Sequence, residues 1–220
     1  MTQEKLKERK KRFKKLYKEL VALLPRQMTA LNFSNPWELV IAVSLSAQCT
    51  DKQVNKVTEK LFKKYKTLED YCNADISEFE KDIYSTGFYK NKAKNVLAAA
   101  KTLRDEFDGI VPQTVADLIV LSGVGRKTAH VVLKNGFGIA EGIAVDTHVI
   151  RFCVRYDLSD FTDAVRIEKD LMNIVPREDW VWCSYYMIWY GRLIAPAKRY
   201  DTSKDPLLKI YPAASERFRV

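Results

Sequence analysis

The chain has little of what would build a metal centre or a disulfide framework. Its 220 residues include only four cysteines and two histidines. Cys49, Cys72, Cys153 and Cys183 stand far apart with no Cys-x-x-Cys pair, so neither zinc nor a disulfide scaffold is indicated and the thiols read as reduced and mostly buried. His130 and His148 lack partners for a metal site. No run of about 18 apolar residues exists, which argues against a membrane-spanning helix. The N-terminal stretch carries Lys5, Lys7, Arg9, Lys10, Lys11, Arg12, Lys14, Lys15 and Lys18 without the apolar core and cleavage site of a secretory signal. An intracellular protein is expected, cytoplasmic or nuclear. Alternating strand patterns of useful length, internal repeats and low-complexity tracts are missing as well.

What is present is helical periodicity and positive charge. The formal charge of +9 and a pI near 9.3 point to a polyanionic partner, nucleic acid first. Leu6, Phe13, Leu16, Tyr17, Leu20 and Leu24 share one face of an opening helix whose other face is basic. That face reads either as a DNA-facing arm or as a solvated surface interspersed with Glu4, Glu8 and Glu19. Further helices are expected over 36–46, 51–65, 68–73, 76–84, 89–106, 114–121, 147–156, 162–174 and 178–193, the last rich in tryptophan and tyrosine. Ser77 and Glu80 form a candidate capping box, with Asp75 or Ser77 opening the helix. The fold class is all-α.

The most informative stretch is Leu121-Ser122-Gly123-Val124-Gly125-Arg126-Lys127-Thr128-Ala129-His130, with Asp146 following in Val145-Asp146-Thr147-His148. An apolar helical run stops at Ser122-Gly123 and another starts after Gly125, giving helix, tight hairpin, helix. Glycines at 123 and 125 are expected to free the backbone for φ > 0 and for close approach of a ligand. The new helix start leaves N–H groups pointing outward, which suits a DNA phosphate.

These residues resemble the signature of the endonuclease III family of DNA glycosylases, within the helix-hairpin-helix glycosylase superfamily. The likeness extends in order through residues Leu31 to Leu39, Leu45 to Asp51 and Gly87 to Ala93, and covers roughly residues 28 to 192. It implies a two-domain fold: a six-helix domain over 29–139 carrying the hairpin, a second helical domain from 1–28 and 140–220, and an active cleft between them. It further implies base-excision repair of duplex DNA by a monomer. Oxidised pyrimidines would be removed through a lysine Schiff base, and the strand cut at the abasic site.

The chemistry needs a nucleophile for the sugar's anomeric carbon and a carboxylate for the positive charge that develops there. Lys127 and Asp146 supply these types. The plainer readings are that Lys127 is a cation beside phosphate and that Asp146 is the N-cap of the following helix. A capping carboxylate is also held rigid, so both readings of Asp146 can hold together. Extruding a nucleotide costs a few kcal/mol unless the gap is filled. By resemblance Gln48 plugs it and Phe88 wedges between bases. Core packing for Phe88 and a helix C-cap for Gln48 are the alternatives. Gly123, Val124, Gly125, Arg126, Thr128, Lys198 and Arg199 complete the candidate DNA contacts, and Lys90, Lys92 and Lys94 are further candidates for phosphate. Asp51 reads as structural or supporting, and His130 is given no role.

One departure stands out. Members of the family commonly carry four cysteines holding an iron-sulfur cluster shortly after a Gly-Arg pair, yet no cysteine lies between 184 and 220. Because such clusters need thiolates, no cluster and no metal cofactor is expected. Ile194, Pro196, Tyr200, Leu207, Leu208, Ile210 and Tyr211 are expected to pack the segment after Gly191-Arg192 against the aromatic helix instead. An 8-oxoguanine enzyme of the same superfamily and a non-catalytic helix-hairpin-helix DNA-binding protein remain as alternatives.

Overall fold

A computed structural model describes residues 2–26, 30–198 and 200–217, and every described element is helical. The chain forms two compact units, Thr29–Glu141 and a second made from Met1–Met28 with Gly142–Val220. Among the described residues no helix is long and apolar enough to cross a membrane.

The first unit contains α2 (Pro36–Leu45), α3 (Asp51–Lys64), α4 (Leu68–Cys72), α5 (Ile76–Ile83), α6 (Tyr89–Glu106), α7 (Val115–Leu118) and α8 (Arg126–Phe137). Helix α2 is its centre, since Leu39 through Val43 and Leu45 are all buried and α8 packs along it. Asn35 starts α2 by accepting from the Glu38 amide at 2.9 Å, and Pro36 loses nothing at a first-turn position whose N–H has no partner in the helix. Helix α5 opens on Asp75, whose carboxylate accepts from the Glu78 amide, so the box expected at Ser77 does not form. A capping box occurs instead at Thr67 and Asp70, ahead of α4. The helix expected over 114–121 is a single turn, because Ile119 to Ser122 already bend into the hairpin.

The second unit contains α1 (Gln3–Leu23), α9 (Thr147–Arg155), α10 (Ala164–Ile174) and α11 (Trp180–Leu193), followed by three short 3-10 turns over Thr202–Lys204, Pro206–Lys209 and Pro212–Ser215. Phe13, Leu16 and Leu20 of α1 join Val149, Phe152, Ile167, Leu171 and Met187 in its core. Arg9 lies on the same α1 face and is fully buried. Its guanidinium donates to Asp157 at 3.1 Å and Asp160 at 2.8 Å, while Arg12 donates to Asp157 and Lys5 to Asp160. These three cations are therefore turned to acids of their own unit. The face carrying Lys7, Lys10, Lys11, Lys14, Lys15 and Lys18 is exposed.

The segment after α11 is tied down by polar groups as well as apolar ones. Leu207 is fully buried, and Ile194, Tyr200, Leu208, Ile210 and Tyr211 pack on the same core. Asp205, 6% exposed, takes three tyrosine hydroxyls on one oxygen: Tyr156 at 2.9 Å, Tyr200 at 2.5 Å and Tyr190. Its other oxygen accepts from the Leu207 amide at 2.9 Å, and Arg155 lies 4.0 Å over the Tyr200 ring. Burial and the neighbouring carboxylate push the Tyr200 hydroxyl up to about 12 and those of Tyr156 and Tyr190 higher still. All three remain protonated donors at neutral pH.

Candidate functional site

The hairpin between α7 and α8 is built by two glycines with different tasks. Gly123 has φ +79°, and a Cβ there would come within 2.9 Å of Asn95, whose carboxamide oxygen accepts from the Ser122 hydroxyl at 3.1 Å. Gly125 has φ −89°, extended backbone open to any residue, so the expectation of a left-handed backbone there is corrected. Its distinction is space, because nothing lies within 4 Å of where its Cβ would stand. Val124 turns inward, 5% exposed, and its amide closes the turn on the Leu121 carbonyl at 3.0 Å. A bare backbone therefore faces outward just where α8 begins.

Gly125 is the N-cap of α8 and offers no side-chain hydrogen bond to its first turn. The positive end of a 12-residue helix is left uncapped by any side chain, the arrangement that receives anions. Arg126, Lys127 and Thr128 stand in that first turn, Arg126 and Lys127 exposed and Thr128 half-buried. Among the described residues no side chain of its own unit pairs with Lys127. His130, about one turn further along α8, is buried.

Asp146 belongs to the second unit, where it is the N-cap of α9. Its Oδ1 accepts from the amides of His148 at 2.8 Å and Val149 at 3.1 Å. Two bonds to one oxygen fix the carboxylate, and Oδ2 takes no hydrogen bond from the described residues of its own unit. The capping reading is thus correct, and it leaves one oxygen available for chemistry.

Gln48 and Phe88 are both exposed, and both are non-glycine residues in the left-handed region, at φ 55° and 50°. Such backbone costs about 1–3 kcal/mol each and persists only where its surroundings hold it. Phe88 is 63% exposed, which removes the core-packing reading. The C-cap of α2 is Ser46, not Gln48. Lys92, expected as a phosphate contact, is instead 6% exposed on α6. Its ammonium donates to the carbonyls of Leu45 at 2.8 Å, Ala47 at 2.9 Å and Thr86 at 2.8 Å. Burial lowers its amine below the ordinary lysine value. Lys90 and Lys94 are exposed, as is Lys198 in the second unit, while Arg199 lies outside the described residues. Asp51 occupies the first turn of α3, where a carboxylate favours the helix. No group of histidines, cysteines and acids able to hold a metal occurs among the described residues.

Sequence reasoning misassigned Lys92 and missed Asn95. Lys92 sits among exposed lysines with nothing in its spacing to separate it from them. Asn95 meets the hairpin from a helix 27 residues upstream of Ser122.

Known proteins share this geometry across nearly the whole chain. Residues 41–177 match the model of the HhH-GPD superfamily base excision DNA repair proteins. Endonuclease III of Synechocystis sp. is 42% identical over 210 residues, 96% of both chains, and that of Bacillus subtilis is 43% identical over 196 residues, 89% of both. A solved structure of a trapped endonuclease III–DNA covalent intermediate, an estranged-adenine complex, superposes with a TM-score of 0.87 at 41% identity, covering 96% of this chain and 99% of that one. The chain belongs to the endonuclease III family of the HhH-GPD superfamily of base excision DNA repair proteins.

Proposed function

We propose that the protein excises oxidised pyrimidines from duplex DNA and then cuts the strand at the abasic site by β-elimination. DNA glycosylase and abasic-site lyase chemistry goes with its family. Lys127 is the nucleophile in this reading: its unprotonated amine attacks the sugar's anomeric carbon as the glycosidic bond to the base breaks, the C1′–O4′ bond then opens to give a Schiff base, and this acidifies the C2′ proton so that the 3′ phosphate departs. Asp146 stabilises the positive charge on the sugar through the oxygen its cap does not use. Gly123, Val124, Gly125, Arg126 and Thr128 seat a backbone phosphate at the start of α8, and Lys198 and Arg199 add positive charge. The protein works as a monomer where DNA is, at a nucleoid or in a nucleus.

The observation that carries this reading is the exposed Lys127 beside an uncapped helix start and a glycine with open space around it. Borohydride reduction tests it. A covalent adduct is expected with duplexes carrying thymine glycol, and none with Lys127→Ala. Adduct formation on 8-oxoguanine instead would move the protein to the other lesion class. Trapping that survives Lys127→Ala would remove the assigned nucleophile.

The iron-sulfur cluster common in the family does not suit these residues. Cys183 is the last cysteine before a run of 37 residues without a thiol, residues 184–220, and it is fully buried, its thiol donating to the Trp180 carbonyl at 3.2 Å. Asp205 and its three tyrosines hold the segment in our reading, and iron at stoichiometric amounts in purified protein would overturn it.

A further inference from the structure

Gln48 and Phe88 lie 40 positions apart in sequence, on two separate turns of the first unit, and neither turn is regular. Each side chain is exposed on a backbone that resists its own conformation. Whatever fixes the two turns relative to each other also fixes the spacing of the two exposed side chains.

Lys92 touches both turns. Its ammonium has three N–H groups, and all three are spent on carbonyls. Two of these, Leu45 and Ala47, flank the end of α2, where carbonyls lack helical partners and a cation is favoured. Ala47 immediately precedes Gln48, whose turn is closed by the Cys49 amide on the Ser46 carbonyl at 3.1 Å. The third carbonyl, Thr86, immediately precedes Gly87 and Phe88. The backbone amide of Lys92 also donates to the Phe88 carbonyl at 3.1 Å. One residue thus holds the chain on both sides of Gly87-Phe88 and just ahead of Gln48. No other described side chain hydrogen-bonds both turns.

We infer that Lys92 is a positioning residue for nucleotide extrusion: by bonding the Ala47 and Thr86 carbonyls it sets the spacing at which Gln48 and Phe88 enter the duplex. The inference rests on the gap-filling reading of Gln48 and Phe88. A lysine suits the task because a single tetrahedral ammonium reaches three carbonyls that converge from two turns. A shorter or apolar side chain leaves those carbonyls buried without donors, and the two turns drift apart. A misplacement of about 1 Å at such a site is enough to cost about two orders of magnitude in rate.

Lys92→Met, Gln48→Ala, Phe88→Ala and the Phe88→Ala/Lys92→Met double variant are compared on two substrates. One is a duplex with a single damaged pyrimidine. The other is a single-stranded oligonucleotide with a preformed abasic site, which needs no extrusion. Lys92→Met is expected to lower kcat on the duplex about tenfold or more with little change in KM, and to leave single-strand cleavage within about twofold. A 2-aminopurine placed beside the lesion is expected to lose most of its fluorescence rise on binding. In the Phe88→Ala background the further loss from Lys92→Met is expected to shrink below about threefold, since both act on one event. If Lys92→Met does not fold, Lys92→Gln, which keeps a donor but reaches fewer carbonyls, carries the same comparison. Equal losses on both substrates, or no loss on the duplex, overturn the positioning role. If Gln48→Ala and Phe88→Ala both leave duplex excision unchanged, the gap-filling reading falls and the role of Lys92 falls with it.

Discussion

The Tyr156 hydroxyl donates to Asp205 Oδ2 at 2.9 Å, joining the end of α9 to the segment that follows α11 across 49 positions of sequence. Tyr190 of α11 and Tyr200 meet the same oxygen. Asp205→Asn replaces an acceptor shared by three hydroxyls with an amide that has one acceptor and two donors to place. The expected cost is about 2–3 kcal/mol, because buried hydroxyls lose their partner. Thermal unfolding measures it, and limited proteolysis is expected to cut first within residues 196–211. A variant as stable and as protease-resistant as the parent would show that the apolar contacts of Leu207 and its neighbours suffice.

Arg9 gives the second prediction. Its guanidinium is fully buried and serves Asp157 and Asp160, so Arg9→Met takes the buried partner from two carboxylates and leaves Asp157 to Arg12 and Arg217 and Asp160 to Lys5. The expected loss is about 3 kcal/mol, the low end for a broken buried pair, because Asp160 is half exposed and water screens it. Burial pushes the Asp157 carboxyl up, but hydrogen bonds from Arg9 and Arg12 and the charge of Arg217 outweigh it and hold it below its ordinary value. Lys5, with Arg9, lowers that of Asp160 against a smaller burial effect. Lowered carboxyls add stability that is complete above the unfolded value of about 3.9 and is lost as pH falls through the folded one. Denaturant titrations between pH 5 and about pH 2 are expected to show this decline in the parent and a shallower one in Arg9→Met.

These two clusters also show what the sequence could and could not carry. Element positions came through, because apolar spacing of the kind Leu16, Leu20, Leu39 and Leu103 follow depends on neighbours only a few residues away. So did the family, since the residues around Lys127 are contiguous. Arg9 sits on the apolar row of α1, but a charged residue in a lysine-rich helix reads as surface until its two acids, about 150 positions downstream, fold beneath it. Lys92 is hidden in the same way among Lys90 and Lys94. For Phe88 the sequence leaves a wedge, by resemblance, and core packing open together, and only its exposure removes the second. The Asp205 cluster combines residues from α9, α11 and two later positions, a convergence that no local pattern encodes.

His148 leads to the third prediction. It is half-buried on α9, with a ring nitrogen 3.0 Å from the Arg151 guanidinium and its imidazole against Gly191 of α11. Burial lowers its ordinary value, helped by the charges of Arg151 and Arg192 and opposed by the Asp146 carboxylate and the Gly191 backbone. The folded state therefore binds the proton less readily than the unfolded chain. Stability is full above about pH 6.5 and falls as pH drops below it, levelling once the folded value is passed. His148→Gln is expected to flatten the stability profile between about pH 7 and pH 5. Gly191→Ala tests the packing apart from the charge. Its Cβ would overlap the imidazole, and a loss of about 1–3 kcal/mol is expected at any pH.

The two hairpin glycines separate stability from DNA contact. Gly123→Ala forces a side chain into left-handed backbone and into Asn95, with an expected loss of about 2–4 kcal/mol seen in thermal unfolding without any DNA. Gly125→Ala meets neither obstacle, because its backbone is extended and its Cβ has open space. Its folding stability is expected to stay within about 0.5 kcal/mol of the parent, the range of an ordinary surface change. That open space is where a phosphate would approach the start of α8, so the added methyl is expected to weaken duplex binding about tenfold. Because the methyl removes no cation, the slope of log affinity against log salt is expected to stay within about half a unit of the parent's. Filter binding or fluorescence anisotropy across a salt series reads both quantities. An unchanged affinity in Gly125→Ala would move the phosphate away from this hairpin. A Gly123→Ala variant of normal stability would mean that Asn95 yields and that the turn tolerates a side chain.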